Sequence, residues 1–256
     1  MKVKWITILL CLMYLLPLEV FARPGMDEFR KIQSEISERF KTGNYQGALE
    51  KHIELRNLDL EYGIAPAVRN SFVLGDWMKL AAVYPPANES LLEIKQDLQN
   101  ILLTGKGNSM HISELDSING KLDDSQNTVD IFLSLEKNYP NQIHTAYIFL
   151  ERTLIDAKRY DIIKRYLDDP IYKYESARFS REGELRRART AQDKGDKEIL
   201  VYANNRFIYD VVNLIEVSKA IGMHKAAQEV HRRAMLYFPN DKIASAFNMS
   251  FLKTVD

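Results

Sequence analysis

Cysteine is all but missing. The single Cys11 among 256 residues lies in an apolar stretch near the start of the chain, so the residues beyond it can form neither a disulfide nor a thiolate metal site. An excess of either charge is missing too, with 35 Lys plus Arg against 35 Asp plus Glu, which removes the global electrostatic argument for nucleic acid or an anionic membrane as partner. Glycine and proline are sparse, at 11 and 8, and they stand at breaks between apolar periodic segments, as in a helical protein. After Leu18 no apolar run approaches the roughly 20 residues that a spanning helix takes. No stretch alternates apolar and polar residues long enough for a sheet. HExxH, GxSxG, Walker loop and GxGxxG patterns do not occur, so no catalytic, cofactor-binding or metal-binding residue is assigned.

What is present is 46% hydrophobic, enough to bury a core as one elongated domain or two compact ones. The first 22 residues read as an export signal rather than part of the fold. Lys2 and Lys4 make a positive start, Trp5 to Leu18 a short apolar run interrupted by Pro17, and Val20 and Ala22 occupy the −3 and −1 positions before Arg23. Leu10 precedes Cys11 where a lipidation site wants a small residue. Removing 1–22 takes away Lys2, Lys4 and Glu19 and leaves 33 basic against 34 acidic residues. The expected location is periplasmic or extracellular, with membrane contact only through an uncleaved signal or a partner.

Beyond residue 23 the periodicity is helical. Phe29, Ile32, Ile36 and Phe40 make one stripe, the segment TGNYQGA breaks it, and Ala48, Leu49, His52, Ile53 and Leu55 begin the next helix. Pro66 starts another segment, Asn88 reads as an N-cap, and TGKGN stops the helix that follows. Two stretches align when superposed on Pro140 and Pro239: Ile112 falls on Val211, Leu115 on Leu214, Ile118 on Val217, Leu122 on Ile221, Thr128 on Ala227 and Leu135 on Ala234. A third stretch fits with Tyr147, Leu150, Tyr160, Ile163 and Leu167, Ile163 standing 35 residues after Thr128.

The segments GNYQGALEKHIEL, KRYDIIKRYL and GMHKAAQEVHRRAMLYFP resemble the turn and second helix of the tetratricopeptide repeat, a helix–turn–helix of 34 residues. The resemblance implies an all-α fold, a right-handed α-solenoid of stacked TPR-like hairpins over 23–256, with recognisable units at about 29–62, 109–140, 144–170 and 208–239 and divergent hairpins between. Departures are the missing first-helix glycine and tyrosine, and Ile163 where the family has a small residue.

The register also settles how to read the histidines. His224 and His231 are seven apart, as metal ligands on one helical face can be, but His231 aligns with Phe132, Leu167 and His52, a hairpin-packing position, and His224 falls in the turn. Between Arg178 and Lys194 five arginines and one lysine stand against three acidic residues, with Glu182 and Glu184 spaced for pairing along a solvated helix. The acidic pairs Asp123–Asp124 and Asp168–Asp169 flank helix ends, where aspartate caps.

In proteins of this kind the first helices line a concave surface that holds a peptide or a partner's helix. On this chain that surface takes Thr145, Ile148, Arg152, Ile155 and Asp156 from one unit, and Tyr209, Val212, Glu216, Lys219 and Ala220 from another. Arg152 with Asp156 and Glu216 with Lys219 have the spacing of intrahelical ion pairs. The lysine and asparagine pattern that clamps a terminal carboxylate in some relatives is missing. The expected function is a protein- or peptide-binding or assembly module without cofactors. The alternative is an envelope-glycan-active enzyme or enzyme accessory domain whose Asp156 and Glu216 carboxylates converge. Intact-mass analysis of the exported protein should find a chain beginning at Arg23; a full-length mass in the soluble fraction would contradict the export signal.

Overall fold

Periodic apolar segments stopped by short turns produce an all-helical structure. The computed structural model describes residues 24–190 and 196–248, with no strand among them. The expected export segment lies outside the described residues. No described helix is long and apolar enough to cross a membrane. Backbone contacts divide the chain into two compact units, one ending at Leu92 and the other beginning at Glu93.

In the first unit α1 (Met26–Lys41) and α2 (Tyr45–Tyr62) pack as a hairpin. Phe29, Ile32 and Ile36 of α1 meet Leu55 of α2 and Val73 in one apolar cluster. Ile53 does not join it: at 37% exposure it lies on the outer side of α2, whose buried stripe runs through Ala48, His52, Leu55 and Asp59. The short α3 (Pro66–Val68) continues through a π-helical turn, Arg69–Val73, into α4 (Leu74–Ala81). Arg69 opens that turn and reaches Asp59, which is fully buried and accepts from Arg69 Nε at 2.8 Å and from the Ala65 amide at 2.6 Å. A buried carboxylate is tolerated because both its oxygens are engaged. Helix α5 (Pro85–Leu103) begins on proline, whose absent N–H is no loss in a first turn. Asn88 is therefore inside the first turn of α5 and is not its N-cap.

The second unit is built from α6 (Ser109–Lys121), α7 (Ser125–Asn138), α8 (Pro140–Asp156), α9 (Tyr160–Tyr166), α10 (Pro170–Thr190), α11 (Asp196–Ala220), α12 (His224–Tyr237) and α13 (Asp241–Asn248). Helix α6 packs on α7 and α8, α8 on α9, α9 on α11, and α11 on α10, α12 and α13. The aligned positions are core: Ile112, Leu115, Ile118 and Leu135 in one pair of helices, and Val211, Leu214, Val217 and Ala234 in another, are all buried. A polar lock joins α6 to α7, where the buried Asn119 Nδ2 donates to Asn127 Oδ1 and Thr128 Oγ1, each at 3.0 Å.

Five turns share one geometry, four of them between helices that pack on each other and the fifth at Gly105, with φ of 72° and the Lys106 amide donating to the Ile101 carbonyl at 3.2 Å. Gly43, Asp123, Lys158 and Gly222 take left-handed backbone, with φ of 75°, 54°, 55° and 87°. After each, an amide donates to the carbonyl five residues back: Asn44 to Arg39 at 2.9 Å, Asp124 to Asn119 at 2.9 Å, Arg159 to Leu154 at 2.9 Å and Met223 to Ser218 at 2.7 Å. This is the six-to-one bond that closes a helix on a left-handed residue. Five residues beyond the left-handed position stand Ala48, Thr128, Ile163 and Ala227, exposed by no more than 2%. The turn brings the second helix onto the first, and that residue fills the closest approach.

His52 is 1% exposed and its ring lies 4.9 Å from that of Trp77, whose Nε1 donates to the Ala87 carbonyl at 3.1 Å. Burial pushes its pKa down to about 4 from the ordinary 6.5, against a weaker opposing pull from Asp76. The unfolded chain takes up this proton before the native one does, so the histidine's contribution to stability is complete above pH 6.5 and is lost as pH falls toward 4. Between pH 6.5 and 5 the native protein should lose about 1.5 kcal/mol, the slope rising toward about 1.4 kcal/mol per pH unit as the unfolded histidine protonates, that a His52→Phe variant keeps. Urea unfolding at the two pH values checks this; equal losses would place His52 outside the titrating core.

Candidate functional site

Helices α8 and α11 turn one face each away from the core. On α8, Thr145, Arg152 and Asp156 are exposed, Ile148 is 61% exposed and Ile155 is half-buried. On α11, Tyr209, Val212 and Lys219 are half-buried, and Glu216 and Ala220 are exposed. The structure joins these faces through Tyr209. Its hydroxyl donates to Asp156 Oδ1 at 3.0 Å, and the Arg152 guanidinium carbon lies 4.4 Å from its ring centroid. A cation over an aromatic face is held by the ring quadrupole. Arg152 and Asp156 are thus tied to one tyrosine of α11 rather than to each other. The Tyr209 pKa is raised, first by burial and then by the hydrogen bond to Asp156, with Arg152 opposing.

Carboxylates gather around this contact. Asp116 on α6 accepts from Thr153 Oγ1 of α8 at 2.7 Å, and burial raises its pKa above the usual carboxylate range against the pull of its hydroxyl partners. Asp210 is raised by burial as well, with Arg206, 3.7 Å away, opposing.

Beside Tyr209 a cleft of about 610 Å³ opens between α11 and α13. Asn205, Ile208, Tyr209, Val212, Asn213 and Glu216 form the α11 wall. Asp241, Lys242, Ser245 and Ala246 form the other. Three of the residues expected on the concave surface, Tyr209, Val212 and Glu216, therefore line one cavity. Arg152 and Asp156 join them through Tyr209, while Thr145, Ile148 and Ile155 lie along α8. Asn205, Asn213 and the whole α13 wall were not foreseen. The signal for α13 was present in Asn240–Asp241 after Pro239, a helix-start pattern; Asn240 Oδ1 accepts the Lys242 amide at 3.0 Å.

Lys219 does not pair with Glu216. Its ammonium donates to the carbonyls of Ala246 and Phe247, both at 2.8 Å, and lies 5.3 Å from the Phe247 ring centroid. These charge-assisted bonds fix α13 against α11. His231 of α12 supports the same junction, stacked on Phe247 with centroids 5.0 Å apart. Burial, with Lys219 nearby, lowers its pKa. His224 is exposed at the first residue of α12. Among the described residues no three His, Cys, Asp or Glu side chains gather as a metal-holding group.

The remaining sequence features have structural work. Asp169 Oδ1 accepts the amides of Ile171 and Tyr172 at the start of α10, whereas Asp124 pairs with Lys95 and makes no side-chain cap on α7. In the basic stripe Arg178 stands 3.2 Å from Glu175 and 3.8 Å from Glu182, and Arg187 stands 3.3 Å from Glu184. Arg181 bonds Asn204 and Tyr237, each at 2.9 Å, under the ring of Phe238. Asp156, the first carboxylate of the enzymatic alternative, is bonded to Tyr209 and is not part of the cleft lining.

Replacing Lys219 with Met should release α13 and cost about 1.5–3 kcal/mol, the scale of hydrogen bonds to a charged group, while Glu216→Gln leaves the melting temperature unchanged. Thermal unfolding of both variants checks this; equal shifts would mean that Lys219 does not hold α13.

Comparison of the chain with protein-family models, with curated proteins and with solved structures finds no match in any of the three.

Proposed function

We propose that this chain is an exported helical-repeat module that binds an extended segment of a protein partner. Its second unit stacks TPR-like hairpins as a right-handed α-solenoid. The reading of the fold draws support from the four equivalent turns and the buried residue five positions beyond each. The observation that carries the function is the cleft between α11 and α13. Its walls mix aliphatic side chains with the amides of Asn205 and Asn213, a lining that offers apolar burial and hydrogen bonds to a polypeptide. The exposed Ile148 and half-buried Ile155 extend an apolar strip along α8. The Asp156–Tyr209–Arg152 contact lies beside the cleft and is organised before any partner arrives, which lowers the ordering cost of association.

A photo-crosslinking residue in place of Val212 should yield discrete protein adducts in the exported compartment, and the same residue at Lys225, exposed on α12, should yield none. Arg152→Glu in the Val212 background should reduce the adducts about tenfold or more, through loss of its hold on Tyr209. Equal adducts from Val212 and Lys225 would contradict the cleft as the binding site.

A further inference from the structure

Helix α13 packs on α11 and on α12. On the α11 side the Lys219 ammonium donates to the Ala246 and Phe247 carbonyls, and on the α12 side the His231 ring stacks on Phe247 with centroids 5.0 Å apart. The helix has eight residues and buries Ile243 and Ala246. His231 Nε2 is enclosed, with no hydrogen-bond partner among the described residues. A neutral imidazole can carry its proton on the other nitrogen and leave a lone pair here. Protonation makes both nitrogens donors, so it would enclose an N–H and a positive charge that nothing answers.

The charges around His231 do not offset that cost. From α11 the charge that acts on it is Lys219, of the same sign, while Glu216 acts on Lys219. On α10 Glu175 is paired with Arg233, and on α12 itself Glu229 is paired with Arg232 and Arg233. His224, two turns earlier on α12, is exposed. The charged residues of α13, Asp241 and Lys242, stand in its first turn, at the opposite end from Phe247. The face of Phe247 attracts a cation, but the Lys219 ammonium already lies 5.3 Å from its centroid. Burial and Lys219 together hold the His231 pKa below the ordinary 6.5.

We propose that His231 is a pH-sensitive latch for α13: its protonation breaks the stack on Phe247, loosens the helix from α11 and α12, and opens the cleft on its second wall. The freed histidine takes up a proton more readily than the stacked one. The latch is therefore fully held above pH 6.5 and weakens as pH falls below it. This control goes beyond the reading of the cleft as a polypeptide site, because it governs the α13 wall whatever the cleft holds.

The test is hydrogen exchange on the purified full chain at about pH 7.5 and about pH 5.5, a range in which histidine changes charge, with rates corrected for the intrinsic pH dependence of amide exchange. Protection of the α13 amides should fall about threefold or more between the two, while that of α7 holds. His231→Phe, which keeps an aromatic stack without a titrating group, and His231→Gln, which keeps a polar one, should both abolish the pH dependence. His224→Gln should leave it intact. In wild type the His231 ring, titrated by NMR, should change over the same range as the loss of protection. Equal α13 protection at the two pH values in wild type, a pH dependence that survives both His231 variants, or one that His224→Gln removes, would overturn the latch.

Discussion

The structure depends on how closely two consecutive helices can approach beside a left-handed turn. A six-to-one backbone bond stops the first helix, one residue with positive φ reverses the chain, and the second helix lands with its fourth residue against the first. Such an approach tolerates little change in volume, because overpacking forces side chains off their rotamers or moves the backbone. Ala48, Thr128 and Ala227 meet the demand by being small. Ile163 meets it in the shortest second helix, the seven residues of α9, where the chain leaves the hairpin through an extended Leu167 after less than two turns. Where the residue is polar the site is wired rather than merely filled, as Thr128 accepts from the buried Asn119.

In the second unit α8 and α11 each turn one face away from the core, and the proposed binding surface lies on those faces. Tyr209 makes the connection: its ring holds Arg152 and its hydroxyl holds Asp156, so two exposed charges of α8 are oriented by one residue of α11. Lys219 does the corresponding work at the other edge, where it ties α13 to α11 and thereby builds the second wall of the cleft.

Much of this was legible in the sequence. Helical period, the four second-helix positions and the packing role of His52 all follow from spacing, because burial of one face imposes a period that composition cannot hide. What spacing could not supply was the partner chosen by each side chain. Arg152–Asp156 and Glu216–Lys219 both look like helix-surface pairs worth about 0.2–0.5 kcal/mol, a stabilisation easily outbid by an aromatic ring or by two backbone carbonyls. The Asp59–Arg69 pair was hidden because it spans ten residues and a π-helical turn that no periodic pattern announces. Asn88 resembles a helix cap because asparagine is a common one, whereas the proline upstream at 85 already fixes the backbone angle of a first turn.

If the shared left-handed turn organises the repeats, its four versions should respond to substitution by one rule. A Cβ at Gly43 or Gly222 would meet no atom within 4 Å, so Gly→Ala there reports backbone conformation alone. The decisive measurement is urea unfolding of Gly43→Ala, Gly222→Ala, Asp123→Gly and Lys158→Gly. The two alanine variants should lose about 1–2 kcal/mol, the cost of left-handed backbone for a residue with a side chain. The two glycine variants should gain about 0.5–1 kcal/mol, that cost relieved less the added entropy of the unfolded chain. Changes of the same sign in all four, or no change at Gly43 and Gly222, would contradict the account.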